Sequence, residues 1–168
     1  MAAAAKHFPG LGSATKNQNT DSGPVTLTVS LTKLHTIDEV PYPAAVGAGV
    51  KLVMMSWATY PALDAKLPAG LSPAVIGQEL RGRNAFTGVT ITDALEAGAL
   101  SAFGATGQRA VAAAGAGMDL ILCSAQQATE GDQAKIALEN GYQDGTLGQA
   151  AFQAALQRVL ALKSSLAR

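Results

Sequence analysis

The 168 residues carry 12 Lys plus Arg against 12 Asp plus Glu, so no basic field draws the chain to nucleic acid or to an anionic membrane. With 48% apolar and only 14% charged residues, the composition excludes a disordered chain and suits one globular domain, residues 1–168. The single cysteine, Cys123, excludes an intrachain disulfide and argues against a thiolate metal cluster. No apolar run approaches the ~20 residues of a membrane span. Met1 to Ala5 is too short for the apolar core of a signal peptide, and Lys6 and Pro9 interrupt it. A cytoplasmic location is the default expectation, and a longer secreted parent stays compatible with it.

In chain order, Ala4 to Phe8 reads as a strand end, and Pro9-Gly10-Leu11-Gly12 as a turn. Ser13 to Pro24 is polar and rich in Asn, Thr, Ser and Gly, which predicts a long exposed loop. Val25 to Leu31 alternates apolar residues with Thr and Ser, as a short strand or extended segment does. A helix is expected between Thr36 and Ala48. Val50 to Met55 is a nearly continuous apolar run, the pattern of a buried parallel strand. Ser72-Pro73 gives an N-cap followed by proline at the first helical position. Val89 to Thr92 predicts the next strand, followed by a helix over about Gln108 to Ala114 that Gly117 ends. Leu120 to Cys123 is another strand, with Cys123 expected as a small buried core residue. The last helix is expected to begin near Thr146, with Thr146 and Gln149 as a capping box and Phe152, Leu156, Val159, Leu160 and Lys163 along one face.

This alternation predicts an α/β fold: about four parallel strands with helices, amounting to a partial (β/α)₈ barrel of the TIM type. A full barrel takes ~250 residues. Four strands of an open sheet leave two uncovered edges.

Three segments resemble one family in their order and spacing. Lys6-His7-Phe8-Pro9-Gly10-Leu11-Gly12 is similar to a KHFPGHG strand end. Tyr60-Pro61-Ala62-Leu63-Asp64 follows, with Pro68-Ala69-Gly70-Leu71-Ser72 and Leu80-Arg81. Phe86-Thr87-Gly88-Val89-Thr90-Ile91-Thr92-Asp93-Ala94-Leu95 resembles GF-x-GVVITDDL. Ala116-Gly117-Met118-Asp119 also matches. As a set these identify the chain as similar to the C-terminal half of the barrel of family 3 glycoside hydrolases, of the β-N-acetylglucosaminidase kind.

The resemblance implies a retaining β-N-acetylhexosaminidase that acts on amino-sugar glycans of cell-wall or chitin type, with Asp93 as nucleophile. From the residues alone, the stronger reading of Asp93 is a helix N-cap ahead of Ala94-Leu95-Glu96; the resemblance shifts the balance to the nucleophile. Lys6 and His7 match family residues that bind sugar hydroxyls. In the family, an Asp-Ser-His segment in the loop after KHFPG supplies the general acid/base. Here Asp21 and Ser22 match, but Gly23 stands in the histidine position, and Leu11 replaces another family histidine. Asp21 is left as the candidate acid/base, on a loop expected to be mobile. His35 reads as a surface or core residue. Trp57 falls where the family often has histidine; sugar stacking and a core or rim role are equal readings. The resemblance implies a carbohydrate substrate and neither metal nor organic cofactor. It also implies an N-terminal half-barrel that contributes an arginine and an aspartate to substrate binding. A non-catalytic half-barrel, or one that completes a barrel by pairing with its own copy or a separate N-terminal half, is the alternative.

Overall fold

The computed structural model describes residues 1–167. Four parallel strands form one sheet in the order β1-β2-β5-β6: β1 is Ala4–Phe8, β2 Leu52–Met55, β5 Val89–Ala94 and β6 Leu120–Leu122. All four coincide with the strands expected from the sequence. Val53 and Met55 on one face of β2 and Thr90 and Thr92 on one face of β5 are buried, while Leu52, Met54 and Ile91 on the opposite faces are partly covered. The partial-barrel class therefore stands. Strands β1 and β6 each have one neighbour in this sheet.

Between β1 and β2 the chain makes a long excursion. Val25, Leu27 and Val29 are buried and alternate with exposed Thr26, Thr28 and Ser30. This is the predicted alternation, realised as an extended segment. It is tied down by Leu27 N–H to the Thr59 carbonyl (2.9 Å) and Thr59 N–H to the Val25 carbonyl (2.8 Å). The single helix expected over Thr36 to Ala48 is instead two pieces. A short helix α1, Leu31–Lys33, runs into a wider π-type turn at Leu34–Asp38, and α2 spans Pro41–Gly47. Two prolines, Pro41 and Pro43, explain the break, because each lacks an N–H and clashes with a preceding turn.

After β2, a small antiparallel hairpin that the sequence reading missed pairs β3, Thr59–Tyr60, with β4, Asp64–Pro68. The prolines at both its ends obscured it. The π-type helix Ala74–Arg83 then crosses to β5. Its predicted start holds: the Ser72 hydroxyl accepts from Val75 N–H at 3.3 Å and donates to Asp64 Oδ2 at 2.6 Å.

Helix α3, Thr106–Ala116, ends at Gly117, whose φ of 109° is the left-handed conformation that favours glycine. Helix α4, Ala128–Gln143, was not anticipated. It packs closely on α3: a Cβ at Gly107 would lie 2.8 Å from that of Ala137. Helix α5, Gln149–Leu166, starts later than expected. Gly148 occupies its N-cap with no side-chain cap, so the Thr146–Gln149 capping box does not form. Thr146 N–H is bonded to Asp144 Oδ1 instead (2.9 Å).

No residue of α5 is fully buried, and an apolar cavity of about 450 Å³ lies between it and the layer beneath, lined by Ile76, Met118, Leu147, Phe152 and Val159 among others. What holds α5 is a buried charge. The Asp119 side chain is 0% exposed and receives Arg158 (2.7 Å), Arg81 (2.8 Å) and Thr90 N–H (2.9 Å).

The two edge strands carry an expectation for the isolated 168-residue chain: it self-associates, because unpaired strand edges and half-covered apolar surface recruit partners. Light scattering on freshly purified protein should report a mass above the monomer. A monomer that melts cooperatively would contradict this.

Candidate active site

In a parallel α/β sheet, chemistry collects where the strands end. The C-terminal ends of β1, β2, β5 and β6 lie side by side here. Asp93 sits at the end of β5, its Oδ1 accepting from Ala94 N–H at 2.9 Å. It does not cap a helix, because the strand runs on to Ala94 and a turn follows. Three bonds fix that turn: Trp57 Nε1–H donates to the Ala94 carbonyl (2.9 Å), Arg109 Nη1 to the Leu95 carbonyl (3.1 Å), and Leu95 N–H to the Leu122 carbonyl (2.9 Å). The Asp93 carboxylate is thus held on rigid backbone while its side chain stays 20% exposed.

His7, near the end of β1, brings Nε2 to 3.6 Å from Asp93 Oδ2. That is too long for a hydrogen bond, so the two groups form a loose pair with room for a third partner. Burial lowers the His7 imidazole below its ordinary value; Asp93 opposes this, Lys6 adds to it, and Asp21 opposes it. This favours the neutral imidazole, which has one ring N–H to donate. Lys6 is exposed and, with His7, lines a cavity of about 560 Å³ beside β1, together with Gly10, Gly12, Asp38 and Tyr42. The positions taken from the sequence for Asp93, Lys6 and His7 come together at one end of the sheet.

These relations predict the titration of His7. Its ring resonances should follow a midpoint below 6.5, the ordinary imidazole value. Asp93→Asn should move the midpoint lower still, since it removes the charge that raises it. With only two histidines in the chain, His35→Ala assigns the signal. A midpoint that rises in Asp93→Asn would contradict the geometry.

Asp21 lies near enough for its charge to act on His7, but its loop is not the free segment expected. Gly98 N–H donates to the Asp21 carbonyl and Ala99 N–H to the Thr20 carbonyl, both at 2.9 Å. Thr20 is buried, and a Cβ at Gly98 would meet the Ser22 backbone at 2.7 Å. The loop backbone is docked on the segment after β5, while the Asp21 side chain stays exposed. Gly23 has open space around it and no positive φ, so a larger side chain fits there.

Trp57 is corrected. It is 1% exposed, its ring is packed on Gly70, and its N–H is spent on Ala94. No face is left for a sugar, and the core reading replaces stacking. Cys123 is half-buried at the end of β6 rather than fully buried; burial, with Glu130 and Glu96 nearby, pushes its thiol up. Glu96, passed over in the sequence, faces the same end: Ser124 Oγ donates to it at 2.7 Å. Burial acts to raise the Glu96 carboxyl, but hydrogen bonds from Ser124, from its own backbone N–H and with Glu130 together hold it low.

The four-stranded parallel sheet with its helices is consistent with a segment of a (β/α) barrel domain. The chain belongs to glycosyl hydrolase family 3: the model of the Glycosyl hydrolase family 3 N terminal domain matches residues 1–162. Among curated proteins, an uncharacterized secreted glycosyl hydrolase of Arthroderma benhamiae is 50% identical over 161 residues, which is 96% of this chain and 46% of that protein. A beta-hexosaminidase of Stenotrophomonas maltophilia is 37% identical over 122 residues, 73% of this chain and 36% of that one. Among solved structures, a family 3 beta-N-acetylglucosaminidase from Paenibacillus superposes with a TM-score of 0.89 at 35% identity, covering 97% of this chain and 31% of the other. A beta-N-acetylhexosaminidase from Beutenbergia cavernae gives 0.82 at 33% identity, over 96% and 46%. The chain thus spans less than half the length of each of these relatives.

Proposed function

We propose that this chain is the nucleophile-bearing part of a β-N-acetylhexosaminidase that hydrolyses amino-sugar glycosides with retention of configuration. The observation that carries the reading is Asp93: a carboxylate at the C-terminal end of a parallel strand, on a clamped turn, beside the His7 imidazole. In a retaining mechanism Asp93 attacks the anomeric carbon through an oxocarbenium-like transition state, and the leaving oxygen departs with a proton. Water then cleaves the glycosyl–Asp93 ester. Lys6 and His7, both donors, hold sugar hydroxyls at the rim. The relatives named as hexosaminidases support N-acetylhexosamine as the sugar, in glycans of cell-wall or chitin type. An N-terminal half-barrel, on the same or another chain, completes the substrate site.

The leaving-group proton is the weak point of this site. Asp21, whose charge acts on His7, is the candidate for the task, and Gly23 offers no proton. Proton transfer contributes typically 10²–10⁴-fold. The chain supplied with an N-terminal half-barrel should therefore cleave aryl N-acetylglucosaminides with acidic phenols far better than natural disaccharides. Gly23→His, for which there is space, should narrow the gap by roughly tenfold or more. Equal rates on both substrates before the change would show that an efficient acid is already present. No turnover of either by the completed barrel would favour the non-catalytic alternative.

A further inference from the structure

On the outer layer, one polar cluster plays no part in this reaction. His35 lies in the π-type turn Leu34–Asp38, Glu39 caps that turn, and Glu79 projects from the helix Ala74–Arg83. One ligand atom from each of the three lies within 4.8 Å of the others. The Glu39 and Glu79 side chains are only 1% and 11% exposed.

Burying two carboxylates is costly unless each oxygen finds a partner. Some do: Asn84 Nδ2 donates to Glu39 Oε2 at 3.0 Å. Yet His35 Nε2, Glu39 Oε1 and Glu79 Oε1 are all buried without a hydrogen-bond partner. His35 Nε2 and Glu79 Oε1 stand 3.0 Å apart without the geometry of a hydrogen bond, so they are not aimed at each other. Three ligand atoms that make no hydrogen bond converge on one region, and a cation placed there satisfies all of them at once.

We propose that His35, Glu39 and Glu79 form a binding site for one divalent transition-metal ion of the zinc class, which clamps the Leu34–Asp38 turn to the Ala74–Arg83 helix. One imidazole and two carboxylates are a donor set that zinc accepts, with water as the fourth ligand. Calcium takes six to eight oxygens and magnesium a full octahedron, and this site supplies neither. His35 is 24% exposed, which leaves a way in for the ion and its water. Arg83 is the competitor: its Nη1 lies 3.4 Å from Glu39 Oε2 and its Nε 3.4 Å from Glu79 Oε1. It carries one positive charge against two carboxylates and is 37% exposed, so it can turn outward when the ion enters. The site is structural and separate from the Asp93 chemistry, which needs no metal.

The test is a zinc titration of the 168-residue chain against a chromophoric chelator, with cobalt(II) absorption as a second readout. One ion per chain is expected, with a tetrahedral cobalt spectrum. His35→Ala and Glu79→Gln should each weaken binding more than about tenfold, since even groups behind the ligands can cost that much. Arg83→Gln should tighten it. His7→Ala and Cys123→Ser should leave it unchanged. Circular dichroism checks that each variant keeps its helices, and Glu79→Gln, which preserves size, stands in if His35→Ala does not fold. Loss of binding in His7→Ala but not in the cluster variants would place the ion on His7 and Asp93 and overturn the proposal. So would zinc binding no tighter than millimolar, or a cobalt spectrum that Glu79→Gln does not alter.

Discussion

Replacing Asp93 by alanine should abolish glycoside hydrolysis while leaving the fold nearly intact. In the proposed mechanism the carboxylate supplies the bond to sugar, and no other acidic residue of the chain ends a strand within a matching motif. Its structural duties are light. Oδ1 accepts one hydrogen bond, from Ala94 N–H, and the pair with His7 at 3.6 Å is loose. Losing one such bond costs about 1 kcal/mol. Denaturation midpoints of Asp93→Ala and the parent chain should thus lie close together, while the completed barrel loses activity on an activated aryl N-acetylglucosaminide. An Asp93→Ala protein that keeps the parent's rate would remove Asp93 from the mechanism.

Asp119→Ala should behave in the opposite way. This aspartate sits just before β6, at the N-terminal end of the sheet, where barrel residues serve stability. It is fully buried and joins four elements: Arg158 from α5, Arg81 from the Ala74–Arg83 helix, and Thr90 N–H from β5 converge on it at the start of β6. Removing it strands two arginines. Breaking a buried pair in this way costs about 3–5 kcal/mol, a large part of the ~5–15 kcal/mol that holds a domain together. Urea denaturation followed by circular dichroism should show Asp119→Ala largely unfolded under mild conditions. Arg158→Ala should do less harm, because Asp119 keeps Arg81 and Thr90. Since α5 has no buried residue and borders a cavity, Arg158→Ala should loosen that helix first. Equal stability of Asp119→Ala and the parent would contradict this account.

These two aspartates also show what the sequence could and could not convey. The parallel strands were legible because burial on both faces demands continuous apolar runs, as in Val50 to Met55. Gly117 announced the end of α3 because the left-handed turn there suits glycine. Helix α4 was not legible: its buried positions are Glu130, Ala134 and Gly141. Small residues pack helices closely without writing an apolar stripe, so periodicity carries no signal. The capping box at Thr146 failed because Asp144, two residues earlier, captures the Thr146 N–H. Trp57 could be read either way, since the same ring serves a sugar or a core; only its burial and its bond to Ala94 decide. The cluster of His35, Glu39 and Glu79 was invisible for another reason. Its members lie up to 44 residues apart in number, and only the packing of two helices brings them together.

The position of Asp93 was legible through its motif, and its surroundings were not. Sequence gave no hint that Trp57, Arg109 and Leu122 clamp the turn after it, or that Gly98 docks the Asp21 loop. Such contacts join segments far apart in the chain and leave no local pattern.

The most direct test of the central claim is to trap the covalent intermediate. A 5-fluoro N-acetylglucosaminyl fluoride carries a good leaving group, while its ring fluorine destabilises the oxocarbenium-like transition state and slows release from the enzyme. It should be incubated with the chain supplied with an N-terminal half-barrel, and the protein digested for mass spectrometry. The account predicts one sugar per chain, attached to the peptide that contains Asp93 and absent from Asp93→Ala. A label on another carboxylate, or turnover with inverted product and no covalent adduct, would contradict it.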